Sequence, residues 1–152
     1  MNCEKDKSSL IEDIKKGLYN FVIISRFVMN EINYEEKLSI SQLFFLYLFE
    51  ESESYKVSEL AEKLGITPSA VTNLSNKLVE SQFIHRFRPE DNRRVVMISL
   101  TDKGKQFLKK MGEIKSRFLA EALSELNNDD LKNMSLSFLK LNYALQKYKN
   151  RK

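Results

Sequence analysis

Residues 65–81 read Gly65-Ile66-Thr67-Pro68-Ser69-Ala70-Val71-Thr72-Asn73-Leu74-Ser75-Asn76-Lys77-Leu78-Val79-Glu80-Ser81. Thr67 is a good helix N-cap, and Pro68 suits the first helical position, where a missing amide hydrogen costs nothing; a short helix is predicted from here to about Ser81. Val71, Leu74 and Leu78 form one apolar stripe at steps of three and four. The opposite face carries Ser69, Thr72, Asn73, Asn76 and Lys77, with Glu80 delayed to the far end. A solvated helix face ordinarily interleaves Glu and Lys. Small hydroxyls, amides and a lysine are instead the groups that bond phosphates and base edges in a major groove.

Upstream, Val57 to Leu64 reads as a short helix capped by Ser58 and ended at Gly65, a residue suited to the left-handed position past a helix terminus. Ser39-Ile40-Ser41-Gln42 has the form of a capping box and predicts another helix start. The run that follows, Leu43-Phe44-Phe45-Leu46-Tyr47-Leu48-Phe49, could also be a buried strand on periodicity alone. Before it, Leu10, Ile14, Leu18, Phe21, Ser25, Val28 and Ile32 recur at steps of three and four, which predicts a long amphipathic helix over residues 8–33.

Downstream, residues 83–88 and 95–100 read as two strands with Phe83, Phe87, Val96, Ile98 and Leu100 at alternating positions. Their connection, Pro89-Glu90-Asp91-Asn92-Arg93-Arg94, makes a hairpin tip with two adjacent arginines. His85 is expected to face the domain beside Phe83 and Phe87 as a packed or surface histidine. Thr101-Asp102 caps a long helix carrying Phe107, Met111, Ile114, Phe118 and Ala122. Asn127-Asn128-Asp129-Asp130 starts a last one, whose Leu131, Met134, Phe138, Leu141, Leu145 and Tyr148 repeat like a coiled coil. This stripe is too apolar to be left in water by a lone small domain, which points to a dimer.

Helix, helix, tight turn, helix and a hairpin with an arginine tip make a winged helix-turn-helix. The fold class is therefore mainly α with a small β-hairpin, set between long N- and C-terminal dimerisation helices. Residues 1–152 are read as a single domain, with a DNA-binding lobe over 39–100 and a helical dimerisation region over 8–33 and 101–149. The length of 152 residues suits one ordinary domain. Net charge is +4 and uneven: residues 1–54 carry 6 basic and 10 acidic side chains, residues 55–118 carry 13 and 7, and residues 119–152 carry 6 and 4. The basic excess thus falls on the lobe with the polar helix and arginine tip, as expected of a nucleic-acid-binding module.

Several classes are excluded. The seven-residue apolar run is far below the ~18 residues that span a bilayer, and the N-terminus lacks a signal-peptide pattern, so a cytoplasmic location is expected. One cysteine, Cys3, and one histidine, His85, give neither a disulfide framework nor a thiolate-imidazole zinc site. No metal or other cofactor is expected. No nucleophile-base arrangement, paired carboxylates or Gly-rich phosphate loop suggests an enzyme.

Three segments carry a specific resemblance: Leu60-Ala61-Glu62-Lys63-Leu64-Gly65-Ile66, Ser69-Ala70-Val71-Thr72-Asn73-Leu74, and Asp91-Asn92-Arg93-Arg94 leading to Ile98-Ser99-Leu100-Thr101-Asp102-Lys103-Gly104. With them the chain resembles the MarR family of bacterial transcriptional regulators from about residue 10 to 148. The resemblance implies that the helix over 68–81 enters a major groove and that Arg93 reaches an adjacent minor groove, braced by Asp91. DNA contacts are assigned on this basis and on residue type to Ser58, Thr67, Pro68, Ser69, Thr72, Asn73, Asn76, Lys77, Arg88, Asp91, Arg93 and Arg94. Asn73 and Lys77 stand where the family often has Arg, so an operator cannot be borrowed from a relative. Gln82 stands where it usually has Gly, which leaves the local turn geometry open.

The resemblance further implies an obligate homodimer whose first and last helices interlock, here through Leu10 and Ile14 with Leu131, Met134, Phe138, Leu141 and Leu145. Such a dimer reads an inverted repeat in double-stranded DNA. It also implies a cavity for a small aromatic effector, for which Tyr19, Phe45 and Tyr47, or Tyr34, are candidates. The expected function is a sequence-specific repressor, with release by a small aromatic effector as the regulation the resemblance implies. The alternatives are a winged-helix adaptor that binds protein without reading DNA, and a redox-responsive regulator using Cys3.

Overall fold

The computed structural model describes residues 6–32 and 36–151 and, within them, all side chains except those of Phe27, Asn30, Glu31 and Ile32. Cys3 and Tyr34 lie outside the described residues. Helix α1 covers Lys7–Ile32 and α2 covers Ile40–Tyr47, continued by one 3-10 turn, Leu48–Glu50. A strand β1, Ser54–Lys56, leads directly into α3, Val57–Leu64, and then α4, Pro68–Glu80. The hairpin strands are β2, Ile84–Phe87, and β3, Met97–Leu100; α5, Asp102–Ala122, and α6, Asn128–Lys149, complete the order. Two compact units divide the chain, Met1–Ile114 and Lys115–Lys152, and the division falls inside α5.

In the first unit, local polar chemistry sets the helix ends. The Ser39 amide donates to Gln42 Oε1 at 2.8 Å and the Ser39 hydroxyl accepts from the Gln42 amide at 3.2 Å, so the capping box forms and the aromatic run is helical. Helix α3 begins at Val57, as expected, but with a different cap. Its N-cap is Lys56, whose amide donates to the Glu59 carboxylate at 2.9 Å. Ser58 therefore lies inside the first turn and is not the cap, because the preceding strand runs straight into the helix. Gly65 ends α3 with φ 66°. Just past the 3-10 turn, Glu51 accepts a hydrogen bond from Lys63 Nζ at 2.7 Å, and this bond raises the lysine pKa above its ordinary value.

The sheet is antiparallel and three-stranded, in the order β1-β3-β2, one strand more than the expected hairpin. Tyr55 pairs with Ile98, and Ile84 with Leu100. Leu43, Phe45, Leu46, Leu60, Val71, Leu78, Phe83, Ile84, Ile98 and Met111 make the core, each below 2% exposure. The alternation expected on the first hairpin strand is corrected: Ile84 points inward, while Phe87 is 40% exposed. Phe83 is buried because it precedes the strand, just after Gln82 at φ 61°, and so does not share the strand's two-residue period. His85 is accordingly exposed beside Phe87, with its Nε2 2.9 Å from the Ser99 hydroxyl oxygen.

The second unit holds the end of α5 and all of α6. Asn127 caps α6 by accepting from the Asp130 amide at 2.9 Å. Asp129 and Asp130 lie in its first turn and Lys147 and Lys149 in its last, each sign opposing the helix dipole end it occupies. No residue of α6 is buried.

Candidate nucleic-acid interface

Helix α4 is anchored at its start by Thr67, whose hydroxyl accepts from the Ala70 amide at 3.2 Å, with Pro68 following as the first helical residue. Val71, Ser75 and Leu78 are fully buried. Ser69, Thr72, Asn73, Asn76 and Lys77 are all exposed on the other face, as their spacing predicts. The Thr72 hydroxyl donates to Pro68 O at 3.1 Å, which turns its lone pairs outward as acceptors. Lys77 Nζ donates to the carbonyl of Lys37 at 2.6 Å, so one of its three hydrogens is committed within the chain.

A residue missed by sequence reasoning supports this helix from β2. Arg86 Nη2 lies 2.8 Å from Asn76 Oδ1, 2.6 Å from Thr72 O and 2.5 Å from Ser75 Oγ. The signal that could have found it is Ser75, a hydroxyl placed among apolar stripe residues, since a buried polar group needs a partner. Ser75 also donates to Val71 O at 2.7 Å.

The wing tip is built from turns. The Asn92 amide donates to Pro89 O at 3.2 Å, the Val95 amide to Asn92 O at 3.1 Å, and the Arg94 amide to Asn92 Oδ1 at 3.3 Å. Arg88, Asp91, Arg93 and Arg94 are all exposed around it. Among the described residues no ion pair joins Asp91 to Arg93, in keeping with the small gain of such a pair in water.

The base of the wing is locked to α5. Thr101 Oγ1 donates to Gln82 O at 2.5 Å and accepts from the Gly104 amide at 3.1 Å, while the Thr101 amide donates to Phe83 O at 3.0 Å. Lys103 Nζ donates to Ser81 O at 3.1 Å and sits 4.4 Å over the Phe83 ring. The Leu-Thr-x-x-Gly segment is thus the joint that fixes the wing strands against the end of α4.

The remaining candidates are dispersed. Phe45 is fully buried, its ring 5.8 Å from that of Phe49, and is core rather than pocket wall. Tyr19 and Tyr47 are exposed on α1 and α2. A groove of about 530 Å³, lined by Phe49, Glu51, Glu53, Leu100, Lys105 and Leu108 among others, contains none of these three. Leu10 and Ile14 are exposed on α1; on α6 Met134, Phe138 and Leu145 are exposed and Leu131 and Leu141 half-buried. Among the described residues there is no group of three or more His, Cys, Asp or Glu that could hold a metal ion, and no helix is long and apolar enough to cross a membrane.

Comparison with known proteins bears on this geometry. The family model described as MarR family matches residues 38–96. The HTH-type transcriptional repressor MdtR of Bacillus subtilis (strain 168) is 30% identical over 127 residues, covering 84% of this chain and 82% of that protein. A MarR family protein from Bacillus stearothermophilus superposes with a TM-score of 0.81 at 21% identity, over 93% of this chain and 99% of that one. Streptococcus pneumoniae FabT, solved in complex with DNA, has a TM-score of 0.79 at 20% identity, over 94% and 99%. The last two share the fold.

Proposed function

We propose that this chain, which belongs to the MarR family, is a homodimeric repressor that reads an inverted-repeat operator in double-stranded DNA. It is a transcriptional regulator of the DNA-binding helix-turn-helix kind. The observation that carries the finer reading is the exposed face of α4, where Ser69, Thr72, Asn73, Asn76 and Lys77 stand together on a helix whose other side is sealed into the core. That face fits the major groove, and each good base contact is worth roughly 1 to 3 kcal/mol of discrimination. Arg93 and Arg94 at the wing tip suit a minor groove, where narrow A·T-rich sequence concentrates negative potential. FabT, of the same fold, was solved with DNA, and MdtR is named a repressor; both support this reading.

Dimerisation through α1 and α6 is supported by their exposed Leu, Ile, Phe and Met side chains, which a second copy would cover. Release by a small aromatic effector would follow from preferential binding to a lobe spacing that misfits the operator, with Tyr19 and Tyr47 as orienting groups. The test is selection of bound duplexes from a random DNA pool, followed by a salt titration on the winners. An enriched inverted repeat with half-sites about 10 base pairs apart and steeply salt-dependent affinity is expected. Weak, salt-sensitive binding without enrichment would overturn sequence reading and favour a protein-binding adaptor.

A further inference from the structure

A guanidinium nitrogen can only donate hydrogen bonds. The atom of Asn76 that faces Arg86 Nη2 at 2.8 Å is therefore the carbonyl oxygen, and the amide NH₂ of Asn76 is turned the other way, on the exposed face of α4. Arg86 is itself held, by Thr72 O and by the fully buried Ser75 hydroxyl, so the amide orientation is set from inside the domain. Donation from a cation also polarises the amide and strengthens its N–H donors.

We propose that Arg86 fixes Asn76 as a hydrogen-bond donor toward DNA, and so determines base preference at one position without touching a base. The inference rests on α4 lying in the major groove, as argued above. An unconstrained asparagine pairs with adenine through both its groups, accepting from N6 and donating to N7. With its oxygen turned toward Arg86, Asn76 presents only its donors to the groove. Guanine, with acceptors at both O6 and N7, becomes the best partner; thymine O4 and adenine N7 offer one acceptor each, and cytosine presents a donor. Arg86 is thus a positioning residue for specificity, reached from the strand that leads into the wing.

The experiment compares duplexes selected from a random pool by the parent protein, Asn76→Ala, Asn76→Asp and Arg86→Met. Asn76→Ala should lose discrimination at one base pair of each half-site, and at that pair the parent should prefer guanine over adenine by about tenfold. Asn76→Asp, which leaves Arg86 partnered but has no donors, should lose the same preference. Arg86→Met frees the amide to turn and should shift that pair toward adenine, leaving the other pairs as they were. Adenine preferred by the parent at that pair, or an Arg86→Met variant weakened equally on all sequences with its pattern intact, would overturn the proposal. The guanine-adenine choice of the parent decides the matter even where Arg86→Met does not fold. A parent that enriches a sequence whose pattern Asn76→Ala leaves unchanged defeats this inference alone; a parent that enriches nothing defeats the reading of α4 as well.

Discussion

The carbonyl oxygen of Phe83 lies where a side chain on Gly104 would have to begin: a Cβ added at Gly104 would meet it at 2.0 Å. The helix backbone of α5 thus touches the chain at the base of the wing, and the Thr101 bonds to Gln82 and Phe83 close the same joint. In an unpacked helix Gly→Ala gains about 1 kcal/mol. Here the neighbour is backbone and cannot rotate away, so Gly104→Ala is expected to destabilise by about 2 kcal/mol net. Thermal unfolding at one fixed protein concentration should show a fall of about 4 to 8 °C. A variant as stable as the parent would show that the joint is loose.

Gln82 adopts φ 61°, a left-handed conformation that costs a residue with a Cβ about 1 to 2 kcal/mol. Its carbonyl, not its side chain, receives the Thr101 bond, so the side chain can be removed without breaking the joint. Gln82→Gly should therefore stabilise the protein by roughly 0.5 to 1 kcal/mol, the conformational relief exceeding the added freedom of the unfolded chain. Gln82→Val should destabilise it. Chemical denaturation of the pair reads the sign directly, and equal midpoints would remove strain from the account.

Elements whose ends depend on contacts three or four residues away were legible in the sequence: Thr67 with Ala70, Ser39 with Gln42, Asn127 with Asp130, and Gly65 closing α3. Long-range features were not. Strand β1 is three residues with one buried side chain, too short for a period, and exists because β3 pairs with it. The cap is Lys56 and not Ser58 for the same reason, since that strand runs straight into the helix. Counting by twos from Phe83 turns Phe87 inward, but Phe83 precedes β2 and Ile84 sets the strand's inward face. Arg86 reaches residues ten to fourteen positions away, which no local pattern encodes. The polar face of α4 was legible because amphipathic spacing separates its exposed Asn and Thr from Val71 and Leu78.

Arg93 and Asn73 should fail in different ways. Arg93 is exposed at the wing tip and suits charge recognition in a minor groove. Arg93→Ala is expected to weaken binding on most sequences and to reduce the slope of log affinity against log salt by about 1. Asn73 is uncharged and sits on the exposed face of α4. Asn73→Ala should keep the salt slope and lose roughly 1 to 3 kcal/mol of discrimination at particular base pairs. Binding isotherms at several salt concentrations on operator and scrambled duplexes separate the two. An Arg93→Ala protein that binds like the parent would remove the wing from the interface.

On α6 the stripe residues Phe138 and Leu145 are 45% and 53% exposed, although a buried side chain of this kind gains about 1.5 to 3 kcal/mol over an exposed one. A two-fold interface counts each such residue twice, so Leu145→Glu would bury two carboxylates against apolar surface and should shift the protein to monomer. Lys140, next to the stripe residue Leu141 but outside the repeat, supplies the control: Lys140→Gln should leave the dimer intact. Sedimentation equilibrium reads the mass of both. Loss of the dimer uncouples the two half-sites, so affinity for an inverted repeat should fall about 100-fold or more, while a single half-site is bound as before. A Leu145→Glu protein that stays dimeric would place the subunit contact elsewhere than this stripe.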